Sequence, residues 1–426
     1  MTSGALALIA AVVFAWGAFS AKLERADLTA PMAFVGIGVL LAGSLPADAG
    51  ATGVTVLTEA TLAWVLFSDA SRVGLRELRG DAGVYGRLLG IALPLTVVAG
   101  AAGAWLLLDA PAPWYALLIG AALAPTDAAL GAVVITHPAV PARIRRLLNV
   151  ESGLNDGIVT PVVLVALAGA ASAPGHAGPN AITAVLQLAG GALIGLTVGA
   201  VGGRLLRIAG RRGWTDDSFA GPAVLALALL AYAAAVAGHG NGFVAAFAGG
   251  IAFGHVAGRG GPREVFYVEE TAGLASLLVW LLFGAFAVPL LYGRVDVALL
   301  LYAVLSLTVV RMAPVALGLI GARLGGRTVA FVGWFGPRGL ASVVFALLAV
   351  EELGERAGPA VAAIVLTVLL SVVAHGVSAG PLATRFGAAG RAAAGAAGGE
   401  PAAAARLRRS PARGGPGAGG PTGGTP

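Results

Sequence analysis

Long apolar runs separated by short polar stretches recur along almost the whole chain. A helix needs roughly 20 mostly apolar residues to cross the hydrocarbon of a bilayer. By that criterion the pattern predicts about thirteen spans, at 4–20, 30–45, 53–69, 86–108, 113–136, 148–170, 182–207, 219–237, 241–257, 268–292, 295–321, 328–350 and 359–384. Lipid offers no water to open backbone groups, so the runs read as helices and the fold class as all-α and polytopic. The polar stretches alternate in charge. One set carries Lys22/Arg25, Arg72/Arg76/Arg79/Arg87, Arg143/Arg145/Arg146, Arg204/Arg207/Arg211/Arg212, Arg259/Arg263, Arg323/Arg327 and Arg385/Arg391. The other carries Asp48, Asp109, His176, His239, Arg294/Asp296 and Glu351/Glu352/Glu355/Arg356. Cytoplasmic loops are the ones enriched in Lys and Arg, which puts the N-terminus outside and the C-terminus in the cytoplasm. Residues 386–426 are mostly Ala, Gly, Pro and Arg and are expected to form a disordered tail.

Composition agrees with this pattern. Hydrophobic residues make up 58% of the chain and charged residues 11%, against about 25% charged in a soluble domain. The apolar stretch Ala5–Ser20 has no basic region before it and is read as a first spanning helix, not a removed leader. Cysteine is absent, which excludes disulfides and thiolate metal sites. The net charge of +6 reads as loops facing anionic lipid, with no nucleic-acid partner. No phosphate-binding loop or His-Glu-x-x-His occurs. No cofactor is therefore expected, and ion gradients are the expected driving force.

Ionisable groups at membrane depth cost about 2.5–3.5 kcal/mol each on insertion scales and are functional candidates by default. Those well inside spans are Asp127, Glu151, Asp156, Arg311 and Arg338. Asp69 lies near a span end, where it is read as reaching interfacial water, and Glu59 has no visible partner. Asp127 follows Pro125-Thr126 in the fifth span. Proline removes a backbone donor, and such breaks in membrane helices line binding sites. The sixth span opens with Glu151-Ser152-Gly153-Leu154-Asn155-Asp156-Gly157. Ser152, Asn155 and Asp156 would present three oxygens to one cavity, and hard cations prefer oxygen ligands. One carboxylate among neutral oxygens suits a monovalent ion. Buried charges need partners, so Glu151 is matched with Arg311, and Arg338 with the ends of the broken helices near Asp127. Pro337 also interrupts the twelfth span. With the seventh span as a linker, spans 1–6 and 8–13 become two inverted repeats whose interrupted helices correspond, the pattern of a transporter site at the midplane.

At these residues the chain resembles the monovalent cation:proton antiporters of the sodium/proton exchanger (NhaP-like) family. The matching stretches are Ala124-Pro125-Thr126-Asp127, Glu151 to Gly157, Gly336-Pro337-Arg338-Gly339 and Phe67-Ser68-Asp69-Ala70-Ser71-Arg72. The likeness covers about residues 4–385, and the run at 151–157 is its most specific part. It implies a sodium/proton antiporter fold of about thirteen helices with broken crossing helices, usually as a homodimer in the plasma membrane. Spans 4–6 (84–181) and 11–13 (293–385) would form a moving core, and 1–83 and 182–292 the scaffold. Asp156 would alternately hold cation and proton, with sodium at Asp156, Ser152 and Thr126, and with Asp127 assisting. Asn155 stands where electrogenic relatives carry a second aspartate, which implies electroneutral one-for-one exchange. Glu151 and Arg311 would be a structural ion pair. Sodium entering the site would displace the proton, and protonation would expel sodium. Potassium or lithium remain alternative cations. An intramembrane aspartyl protease using Asp127 and Asp156 is the alternative from another class, and a channel a third. His137, His239, His255 and His375 are weak candidates for pH sensing.

Overall fold

The structure, a computed structural model, describes residues 3–24, 26, 28–42, 51–72, 80–172, 181–257 and 262–397. Every regular element among them is a helix. In chain order these are α1 (Ser3–Glu24), α2 (Ala30–Leu41), α3 (Ala51–Arg72), α4 (Ala82–Leu107), α5 (Pro113–Ala122) and α6 (Ala132–Thr136). There follow α7 (Ala142–Ala171), α8 (Ala181–Arg211), α9 (Asp217–Ala237), α10 (Gly242–Ala257) and α11 (Pro262–Leu282). The last are α12 (Val297–Leu307), α13 (Val309–Gly318), α14 (Gly326–Trp334), α15 (Leu340–Leu353) and α16 (Gly358–Ala397). Each predicted span coincides with one helix or an interrupted pair. The fifth is split between α5 and α6, and the twelfth between α14 and α15, around the two prolines. A further break at Thr308, between α12 and α13, has no proline or glycine to announce it.

By length and composition, eight stretches of the described residues are able to cross a membrane, and α2, α5 and α10 are shorter apolar helices. α3 belongs to neither set, because Thr55, Thr58, Glu59, Thr61, Ser68 and Asp69 dilute it. Its buried Thr58 and Thr61 turn their hydroxyls back onto the carbonyls of Val54 and Leu57 at 2.7 and 2.6 Å. α16 runs on to Ala397, so the first part of the stretch expected to be disordered from 386 is helical. Alanine has the best helix propensity, and extending a formed helix carries no nucleation cost. Residues 398–426, with Arg406, Arg408, Arg409 and Arg413, lie outside the described residues, as do the loop charges Arg25, Asp27, Asp48, Arg76, Arg79, His176 and Arg259.

The helices pack in two groups. α3, α8, α9, α10 and α11 lie against one another, with α2 on α11. α4, α5, α7 and α12 to α16 make the second group, closed by α16 against α5, α12 and α15. The groups meet where α3 and α10 lie on α7 and where α3 lies on α15. Van der Waals packing of small residues holds membrane helices together. Between α8 and α10, Gly191, Gly195 and Gly199 sit directly on the backbone of Asn241, Ala245 and Gly249, where any Cβ would overlap.

Candidate functional site

The two interrupted spans cross. α5 ends at Ala122 and the chain is unwound until α6; α14 ends at Trp334 and residues 335–339 are unwound before α15. At the crossing the Asp127 amide donates to the Pro337 carbonyl at 2.9 Å. Each break leaves a helix end with unmet backbone groups, and each is met by a charge from the other span. The Asp127 carboxylate accepts from the Leu340 amide at 2.8 Å, at the positive N-terminal end of α15. It also accepts from Ala129 and Leu130 at 2.7 and 3.2 Å. Arg338 is fully buried, and its guanidinium donates to the Ala124 and Pro125 carbonyls at 3.1 and 3.4 Å, just past the negative C-terminal end of α5. It also donates to the Ser306 carbonyl at 3.3 Å.

Gly336 and Gly339 admit this arrangement. A Cβ on Gly339 would overlap the Asp127 carboxylate, and one on Gly336 would press on Arg311 and Thr126. A hydrogen-bonded relay fixes the same loop. The Arg338 amide donates to Ser371 Oγ at 2.7 Å, that hydroxyl lies 3.1 Å from His375 Nδ1, and His375 Nε2 lies 2.9 Å from the Trp334 carbonyl. Nδ1 also lies 3.0 Å from the Ser371 carbonyl, so both ring nitrogens face a backbone carbonyl and the ring bridges α14 and α16. His375, read from sequence as a weak pH-sensing candidate, is buried in this relay.

α7 presents the oxygen-bearing face. Thr126 Oγ1 lies 2.9 Å from Ser152 Oγ and accepts from Asn155 Nδ2 at 2.7 Å. Asn155 and Asp156 are buried, and among the described residues Asn155 Oδ1 and Asp156 Oδ1 have no hydrogen-bond partner. Thr126, Ser152 and Asn155 are thus brought together beside Asp156. Arg311 donates to Glu151 Oε1 at 2.5 Å, with both side chains no more than 2% exposed. This pair ties α7 to α13 across 160 residues of sequence.

The structure places Asp69 differently from the sequence reading and adds Phe247 to the site. Asp69, expected in interfacial water, packs from α3 onto Gly153, whose Cβ would come within 3.3 Å of the Asp69 Cβ. Asp69 and Asp127 both lie close enough for their charges to act on Asp156. Small residues around an intramembrane acid, as in Ser68-Asp69-Ala70-Ser71, were the available signal for close approach. Phe247 of α10 covers Gly157, where a Cβ would overlap its ring, and it seals α7 one residue beyond Asp156. An apolar residue in an apolar helix gives no such signal.

Comparison with known proteins agrees with the fold. Residues 8–385 match the family model for the transmembrane part of sodium/hydrogen exchangers. The chain belongs to the sodium/hydrogen exchanger family. A K(+)/H(+) antiporter NhaP of Alkalimonas amylolytica is 26% identical over 345 residues, covering 77% of this chain. The match spans 57% of that relative's length, so the relative carries much that this comparison does not reach. The sodium proton antiporter MjNhaP1 of Methanocaldococcus jannaschii, in its pH 8 structure, superposes with a TM-score of 0.73 at 20% identity, covering 87% of this chain and 98% of MjNhaP1. An electron-microscopy structure of MjNhaP1 gives a TM-score of 0.72 at 19% identity, over 90% of this chain and 98% of the other. The exchanger chain therefore has the all-helical antiporter fold and is a multi-pass membrane protein.

Proposed function

We propose that this exchanger-family chain is a secondary antiporter that moves a monovalent cation against protons, with sodium as the cation and Asp156 as the shared carboxylate. One observation carries the reading. The other charges at the crossing are engaged: Asp127 by amides, Arg338 by carbonyls, Glu151 and Arg311 by each other. Glu151 Oε2 and nitrogens of Arg311 and Arg338 also lack partners, but of these groups only the Asp156 carboxylate takes no hydrogen bond or ion pair from the described residues, beside the oxygens of Thr126, Ser152 and Asn155. An unpaired buried polar atom is costly, and a bound cation or proton on Asp156 relieves that cost.

The carboxylate is ionised when it holds the cation and protonated when it does not. Exchange of one for the other leaves the same net charge on the moving part in both directions, which supports electroneutral one-for-one stoichiometry. Asp127 and Arg338 act by holding the two breaks open at fixed spacing. The core would be α4 to α7 with α12 to α16, moving against a scaffold of α1 to α3 and α8 to α11, with Phe247 on Gly157 as part of the outer seal. Loop charge supports an outside N-terminus and a cytoplasmic C-terminus in the cell membrane, and homodimerisation belongs to the same reading.

Potassium is the second reading for the cation, favoured by the name of the Alkalimonas relative; the names of the structural relatives favour sodium. The aspartyl-protease reading loses ground, since the Asp127 carboxylate already accepts three amide hydrogen bonds. The test is cation-driven proton flux in vesicles, with Asp156→Asn beside the unaltered chain and sodium, potassium or lithium in turn. Flux lost in a folded Asp156→Asn protein supports the assignment. Normal coupled exchange in that variant overturns it.

A further inference from the structure

α13, α14 and the turn between them enclose a groove of about 840 Å³. Its walls are Val309, Met312 and Ala316 on α13, Val329 and Ala330 on α14, and Leu324 in the turn. Thr308 lies at one end and Arg323 at the other. The groove opens sideways, because Ala313, Ala316 and Ala330 are small and exposed. α13 has ten residues, so the groove runs about 15 Å along the helix. That length is half of the roughly 30 Å hydrocarbon thickness, the depth of one leaflet.

The mouth is basic. Arg323 at the rim is exposed, as is Arg327, which does not line the groove but follows the rim residue Gly326, and no acidic residue occurs between Asp296 and Glu351. Arg87 reaches over from α4 to the Gly318 and Ile320 carbonyls, which cancels the negative end of α13 at this point. Arg323 has φ 55°, a left-handed conformation that few residues other than glycine adopt. An arginine held there at the rim of a groove calls for a reason.

We propose that the groove seats one anionic phospholipid of the cytoplasmic leaflet, its acyl chain along α13 and its phosphate on Arg323 and Arg327. Basic pockets between membrane helices on the cytoplasmic side are suited to anionic headgroups. Charge argues against the other occupants. The 398–426 segment carries Arg406, Arg408, Arg409 and Arg413 against the single acid Glu400, and the basic mouth repels it. A second copy in a two-fold contact would set the same arginines against themselves. The leaflet follows from the orientation proposed above. The groove wall also adjoins the ion-site machinery: Met312 follows Arg311, and Gly333, just before the break, lies against Met312.

The test is lipid binding to the purified full chain in detergent, read by native mass spectrometry and by thermal melting. The probes are phosphatidylglycerol, phosphatidylcholine with the same chains, and inorganic phosphate. The expected result is retention and a raised melting temperature with phosphatidylglycerol alone. The double variant Arg323→Gln/Arg327→Gln is expected to bind it about 30-fold more weakly, from the contribution of two arginines to an anionic surface. Ala316→Trp, which fills the groove, is expected to remove the seat with the arginines intact. Equal effects of the two lipids, or wild-type binding by both variants, would overturn the proposal. A lipid-independent loss of dimers in Ala316→Trp would assign the groove to a second copy, and an equal shift with phosphate alone would reduce it to an anion site. Detergent has no leaflets and no flux is measured, so failure here leaves the transport reading standing.

Discussion

Removing one partner of the Glu151–Arg311 pair separates a structural role from a transporting one. Both side chains are at most 2% exposed and meet at 2.5 Å, so no water can replace a missing partner. Breaking a buried pair costs about 3–5 kcal/mol, because one charge stays buried and unpaired. That is about a fifth or more of the roughly 5–15 kcal/mol that holds a typical domain folded. Glu151→Gln keeps the shape and one acceptor oxygen and removes only the charge. Arg311→Met leaves Glu151 without its counter-ion, in a site where Glu151 Oε2 already lacks a hydrogen bond. Each single variant is expected to melt far below the unaltered protein in detergent. The double variant Glu151→Gln/Arg311→Met buries no charge and is expected to recover most of the loss. The assay is a double-mutant cycle on melting half-lives, which suit irreversible unfolding, with flux per folded molecule measured beside it. Single variants as stable as the unaltered protein but without exchange, and a double variant equally inactive, would refute the structural role and make Glu151 a transporting group.

Two other substitutions probe the crossing and the seal. Asp127→Asn keeps one oxygen for the Leu340 amide but removes the charge facing the start of α15, worth about 1–2 kcal/mol in a partly buried setting. It is expected to lower stability and slow exchange while leaving sodium-coupled flux measurable; complete loss of flux from a stable protein would make Asp127 an ion ligand. Gly157→Ala places a methyl group against the Phe247 ring, an overpacking cost of about 1–3 kcal/mol. Its expected slowing of exchange should be relieved in Gly157→Ala/Phe247→Ala, and a double variant as slow as the single would show that this contact does not limit the motion.

Much of the architecture is legible in the sequence because span length and loop charge are local properties. So are the breaks at Pro125 and Pro337, since proline cannot donate the backbone bond that a continuous helix needs. The break at Thr308 is not legible. It lies three residues before Arg311, whose partner Glu151 is 160 positions away in the sequence. Asp156, Asn155 and Ser152 stand out as candidates because their residue types carry chemistry at helical spacing, and Thr126, beside a proline break, is brought against them. The Phe247 contact on Gly157 is not legible, because one apolar residue in an apolar helix looks like any other packing. The role of Asp127 was split in the sequence, between ion site and helix break, and its three amide contacts give the second function a definite geometry.

The central claim is that cation and proton compete for one carboxylate, and the direct measurement is the sodium concentration for half-maximal exchange as pH falls. Vesicles holding the unaltered chain, with the membrane voltage clamped, would be assayed across several pH values. Competition at Asp156 predicts that the half-maximal concentration rises about tenfold per pH unit on the acid side while the maximal rate stays constant, as linkage at a single site requires. A half-maximal concentration that ignores pH, or the same pH dependence persisting in Asp156→Asn, would contradict the account.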